Sequence, residues 1–148
     1  MATQETRTQH TLEIHRTLEA APEAVFRAWT EAAALTKWFG PSPDFGTKVL
    51  ALDVRKGGRY RIAMEHPDGS SHIATGEYRE VQAPSKLVFT WQWETNENPE
   101  ETTVTVELRG VGAATELTLR HERFSDAESK NKHNEGWMGC LSRLDGAL

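Results

Sequence analysis

Cysteine is nearly absent. Cys140 stands alone in 148 residues, so no internal disulfide framework can form, and the chain suits a reducing compartment such as the cytoplasm. Long apolar runs are missing too. None approaches the roughly 18 residues a bilayer-spanning helix needs, which argues against membrane insertion. Met1 to His10 is polar and lacks the apolar centre of a signal peptide, so it is expected to be a disordered leader before a single domain, residues 11–148. Basic charge is in short supply: 17 Lys and Arg face 22 Asp and Glu, a formal net charge of −5. A phosphate backbone wants a basic face, so no nucleic-acid partner is expected. GxSxG, P-loop and GxGxxG patterns are all lacking, which removes support from hydrolase, nucleotide-triphosphatase and dinucleotide readings. The six histidines show neither HxH nor HExxH spacing, so no metal and no other cofactor is expected.

Tryptophan, in contrast, is plentiful, with five in the chain. Two of them lie in the strand-like run Leu87-Val-Phe-Thr-Trp-Gln-Trp93, where Phe89, Trp91 and Trp93 share one face. That much aromatic surface needs cover from a helix, a ligand or a partner. The alternation of Leu12, Ile14 and Leu18 predicts a first strand. Ala21-Pro22-Glu23 opens a helix with Val25, Phe26 and Trp29 as its apolar stripe. A second short helix, about Glu31 to Phe39, is stopped by Gly40-Pro41-Ser42-Pro43. Six strands follow. The first is Lys48 to Arg55, with Leu50, Leu52 and Val54 alternating, and a turn at Gly57-Gly58 ends it. Arg59–His66 and His72–Val81 flank a hairpin signal at Pro67-Asp68-Gly69-Ser70. The aromatic strand comes next, a loop spans Asn96 to Glu100, and two strands centre on Val106 and Leu119. Ser125-Asp-Ala-Glu128 has capping-box spacing and opens a long helix. Its stripe is Trp137, Leu141, Leu144 and Leu148. Gly136 and Gly139 flank Trp137, and glycine costs roughly 1 kcal/mol against alanine inside a helix. They point to close approach or empty space. The class is therefore α+β: an antiparallel sheet covered on one face by the terminal helix.

This order resembles the helix-grip (START-like, SRPBCC, Bet v-like) superfamily, in the branch similar to activator of heat-shock-protein-90 ATPase homologues. The segments carrying the resemblance are Ala21-Pro-Glu-Ala-Val-Phe-Arg-Ala-Trp29, Leu35-Thr-Lys-Trp-Phe39, Asp53-Val-Arg-Lys-Gly-Gly-Arg-Tyr60, Gly76-Glu-Tyr-Arg-Glu80, Leu87-Val-Phe-Thr-Trp91, Leu117-Thr-Leu-Arg-His121 and Gly136-Trp137. The resemblance implies a curved sheet of about seven strands gripping the C-terminal helix, two short helices after strand one, and a cavity between sheet and helix. Relatives include ligand binders, co-chaperone domains and cyclase-like enzymes.

Hairpin parity suggests which side chains face that cavity. With Asp68-Gly69 as a two-residue tip, Tyr60 opposes Glu77, Ile62 opposes Thr75 and Met64 opposes Ile73. With Val81 opposite Leu87, Arg79 faces Phe89, Glu77 faces Trp91 and Thr75 faces Trp93. A ligand cavity would then have Phe89, Trp91 and Trp93 as floor and Trp137, Cys140 and Leu141 as roof. Trp38 and Phe39 would close one end. Tyr60, Ile62, Met64 and Leu119 extend the apolar lining, and Thr75, Glu77 and His121 would orient polar ligand groups. The plainer alternative is an ordinary aromatic core. Glu77 is a candidate general acid or base, although Arg79 beside it would hold it ionised. His121 is a candidate ligand contact or proton shuttle, or simply a satisfied histidine at a strand end. His66 and His72 are expected in solvent and His133 at the helix edge. Cys140 packs as a small apolar group, and Asp53 and Arg55 form a local surface pair. The favoured expectation is a non-enzymatic protein that binds a small hydrophobic or amphipathic molecule, as monomer or homodimer. The alternatives are a co-chaperone-like module that docks a chaperone and a cyclase- or dehydratase-type enzyme.

Overall fold

The computed structural model describes residues 10–40, 42–94 and 100–148. The expected leader apart from His10, the expected loop apart from Glu100, and Pro41 lie outside the described residues. In chain order the elements are β1 (Leu12–Leu18), α1 (Pro22–Thr30), α2 (Ala32–Trp38), β2 (Gly46–Leu52), β3 (Arg59–Glu65), β4 (Ser71–Gln82), β5 (Lys86–Trp93), β6 (Thr102–Val111), β7 (Ala114–Glu122) and α3 (Ala127–Ala147). The seven strands form one curved antiparallel sheet in the order β1-β7-β6-β5-β4-β3-β2. From β2 to β7 each strand pairs with the next in sequence, and β1 pairs with β7, so β1 and β2 form the two edges of the sheet.

Local chemistry sets the helices. Pro22 occupies the first turn of α1, where its missing N–H is no loss, and Glu23 adds charge favourable to the helix dipole. Glu31 is extended between α1 and α2, and the indole N–H of Trp38 donates to Ala28 O at 2.9 Å, locking the two helices together. The cap of α3 lies one residue later than the capping box predicts. Asp126 is the N-cap, accepting from Ser129 N at 2.7 Å. Ser125 instead turns its N–H and hydroxyl to the Glu100 carboxylate. With Ser125 held by Glu100, the next residue able to cap, Asp126, takes the N-cap position. The buried stripe of α3 is Trp137, Cys140, Leu141 and Leu144. Leu148 is not part of it, because the helix ends at Ala147 and leaves Leu148 exposed.

The sheet departs from the expected register at two places. The β3–β4 connection spans five residues, with Glu65 opposite Ser71 and His66 N donating to Ser70 O. Every pair therefore shifts by one from the two-residue tip: Met64 opposes His72, Ile62 opposes Ala74 and Tyr60 opposes Gly76. Val81 does oppose Leu87, but a bulge between Tyr78 and Glu80 then sets Tyr78 opposite Phe89 and Ala74 opposite Trp93. A one-residue slip reverses a strand's faces, so Ala74, Gly76 and Tyr78 are buried inside while Ile73, Thr75 and Glu77 lie on the outer face. Gly76 is required there: a Cβ would lie 1.9 Å from Thr90 O and 2.8 Å from the Tyr60 ring. A second bulge in β2, between Val49 and Ala51, turns Leu50 out to 47% exposure, while Val49, Leu52 and Val54 pack on the core.

Candidate functional site

The inner face of the sheet and α3 meet through tryptophan. Trp91 on β5 lies with its ring centroid 5.2 Å from that of Trp137 on α3 and 5.4 Å from that of Trp93. Phe39, at the end of α2, touches both Trp91 and Trp137 at 6.0 and 5.9 Å. Arg143 fixes this corner by donating to Lys37 O, Gly40 O and Ser42 O at 3.0–3.2 Å, tying α3 to the segment after α2.

A cleft of about 900 Å³ opens beside this cluster, between the first half of α3 and the ends of β3, β4 and β5. Its apolar wall includes Phe39, Met64, Trp91, Trp93, Trp137 and Cys140. All six are among the residues expected to contact a ligand. The other expected residues lie elsewhere. Trp38, Leu119 and Leu141 are fully buried in the core, and Tyr60, Ile62 and Phe89 pack farther along the inner face. Thr75 and Glu77 do not face the cavity: the register change points them outward. Thr75 Oγ1 donates to Tyr60 O at 2.9 Å, and Glu77 pairs loosely with Arg79 at 4.0 Å. Gly136 also lines the cleft, and a Cβ added there would meet nothing within 4 Å. Of the two explanations for its glycine, empty space is the one observed.

Two tryptophan–histidine bonds frame the cleft. The Trp137 indole donates to His121 Nδ1 at 3.0 Å, so that nitrogen carries no proton. His121 Nε2 therefore holds the proton and donates to Thr102 Oγ1 at 2.6 Å, and Thr102 donates onward to Trp91 O at 3.1 Å. Trp93 donates likewise to His133 Nε2 at 2.9 Å, and the His133 Nδ1–H reaches Ser129 O at 2.7 Å. Each ring is fixed as a neutral tautomer. Burial, with His133 nearby as a lesser cause, holds the His121 pKa well below the usual imidazole value, and burial also lowers that of His133. Both nitrogens of His121 are engaged within the protein, so it offers no lone pair or proton to a ligand. This is the satisfied-histidine arrangement, and with Glu77 outside, the enzyme alternative loses both residues it rested on. Burial pushes the Cys140 thiol up to about 11, so it behaves as an apolar wall group and not as a nucleophile.

Several residues of the cleft were not anticipated as site residues. His133, expected at the helix edge, is half-buried against Phe124, His121 and Trp93. Its spacing, four residues before Trp137, carried that signal. His66 and His72 stand at the mouth, where His66 packs on Phe45 at 4.2 Å and His72 lies 6.1 Å from Trp93. Only the tertiary fold brings Phe45, from before β2, to this position. Asp53 and Arg55 form the expected surface pair at 2.9 Å. Among the described residues no three His, Cys, Asp or Glu side chains converge to hold a metal ion, and no helix is long and apolar enough to cross a membrane.

A family model described as activator of Hsp90 ATPase homolog 1-like protein matches residues 19–148. Among solved structures, the chain is similar to a protein from Chromobacterium violaceum, at 30% identity and a TM-score of 0.85, with 93% of this chain and 95% of that one covered. It is also similar to the AHSA1 protein from Silicibacter pomeroyi, at 29% identity and a TM-score of 0.79, covering 92% and 95% of the two chains. A protein from Arthrobacter aurescens shares the fold at 20% identity and a TM-score of 0.84, covering 95% and 86%. Among curated proteins none matches the chain.

Proposed function

This chain belongs to the family of activator of Hsp90 ATPase homolog 1-like proteins, and on that premise we propose that it binds a small hydrophobic or amphipathic molecule in the cleft between sheet and C-terminal helix. The observation that carries this reading is the cleft itself. Its volume of about 900 Å³ falls within the range of small-molecule sites, and an aromatic wall lies beneath a polar mouth. Gly136 fits this reading, since it lines the cleft and a side chain there would enter open space.

Titrating lipids and aromatic metabolites against tryptophan fluorescence is the direct test, because Trp91, Trp93 and Trp137 all border the cleft. Gly136→Leu is the matched variant. Its side chain would occupy the cleft while removing a helix-weakening glycine, so the fold is expected to be as stable as the parent or slightly more so. Affinity for the responding ligand is expected to fall at least about tenfold, roughly 1.4 kcal/mol. Unchanged affinity in a folded Gly136→Leu protein would remove the ligand from the cleft. A chaperone-docking role, which the family's name carries, would be indifferent to filling the cleft, so the same variant separates the two readings.

A further inference from the structure

The charge at the mouth of the cleft says which ligands fit. Four carboxylates line it, from Glu100, Asp126, Glu128 and Glu135, against a single lysine, Lys132. Lys132 is already paired with Glu128 at 3.2 Å. Glu100 and Asp126 accept hydrogen bonds from Ser125 and Ser129, which bring no positive charge to the mouth. The N-terminus of α3 contributes about half a positive charge, enough to offset only part of one carboxylate. The uncompensated balance is therefore negative. Beneath it lie Trp91, Trp93 and Trp137, an apolar aromatic wall suited to the body of an amphipathic ligand.

We propose that the cleft takes an amphipathic ammonium ligand, an apolar or aromatic body carrying a protonated amine, and discriminates against carboxylate amphiphiles such as fatty-acid anions. This rests on the reading of the cleft as a ligand site and adds the charge class of its occupant. The amine lies at the acidic mouth and the body lies against the tryptophans.

Calorimetric titration of the full chain with 4-phenylbutylamine, 4-phenylbutan-1-ol and 4-phenylbutyrate tests it, because the three share one body. At about pH 8 the amine is protonated and the carboxylate ionised. The amine is expected to bind at least about tenfold more tightly than the carboxylate at low salt, with the alcohol between them, and the gap is expected to narrow at ~0.3 M salt. Glu135→Gln is expected to weaken the amine about threefold and leave the alcohol unchanged, a pattern that a purely structural role for Glu135 would not produce. Carboxylate binding equal to or tighter than amine binding overturns the charge inference while leaving the cleft a ligand site. An equal loss for all three probes in Glu135→Gln overturns it as well. If none of the three binds and the fluorescence panel is silent, the ligand-site reading falls and this inference falls with it.

Discussion

His121→Ala is expected to destabilise the protein by about 3–5 kcal/mol, a large part of the roughly 5–15 kcal/mol that holds a domain folded. His121 has no exposed surface. Removing its ring leaves a cavity among Trp91, Phe124 and Trp137, whose rings lie 4.4–6.3 Å away. It also strands the Trp137 indole donor and removes the proton that Thr102 Oγ1 accepts. A buried group left unpaired costs about 1–3 kcal/mol beyond the lost packing. His121→Asn keeps an acceptor near the Nδ1 position and is expected to lose only about 1–2 kcal/mol. Urea denaturation followed by fluorescence measures both. If His121→Ala falls within 1 kcal/mol of the parent, the network is not structural. If the alanine variant does not fold, the asparagine variant still decides the point.

Mild acid is expected to weaken the fold before its carboxylates titrate. His121 and His133 both bind a proton less readily when folded than when unfolded. Their contribution is therefore fully present above the unfolded imidazole pKa of about 6.5 and declines as pH falls below it. A single histidine with a strongly lowered pKa gives a limiting slope of about 1.4 kcal/mol per pH unit, so His121 alone removes about 2 kcal/mol between about pH 6.5 and pH 5. His133 acts in the same direction but by less, because it is partly solvated and its hydrogen bond to Ser129 O, followed by nearby Glu100, favours its charged form. The other groups around the pair are uncharged: the rings of Trp91, Trp93, Phe124 and Trp137, the Thr102 hydroxyl and Ser129 O. Glu13, Asp68 and Glu94 have lowered pKa values and lose their partners' support only below the ordinary carboxylate range. Urea midpoints measured from about pH 7.5 to pH 5 should fall steadily in the parent and clearly less in His121→Asn. A flat profile in the parent would mean the histidines are not held neutral as the hydrogen bonds require.

The residues that were legible in the sequence are those governed by short-range periodicity. Phe89, Trp91 and Trp93 share the inner face because a strand alternates, and Trp137, Cys140 and Leu141 share a helix face because a helix repeats every 3.6 residues. Neither result depends on what lies across the sheet. Thr75 and Glu77 lie on the outer face and not the expected inner one because their orientation depends on loop length and on a bulge. Pro67-Asp68-Gly69-Ser70 signals a turn without stating whether two residues or five bridge the strands. The bulge beside Arg79 has no local signature in this chain. The burial of His133 has a local signal in its spacing to Trp137, but its bond to Trp93 has none, because the two residues lie 40 apart and meet only in the folded chain.

Sequence alone was enough for the order of the strands and helices, for the shared inner face of Phe89, Trp91 and Trp93, and for α3 as the cover of the sheet. Each of these follows from propensity, alternation or capping within a few residues. Tertiary structure alone decided the register of β3 to β5, the neutral tautomers of His121 and His133, and the cleft with its acidic mouth. These depend on groups distant in sequence: one residue of slip reverses a strand, one donor chooses a tautomer, and an empty space is defined by all the walls around it.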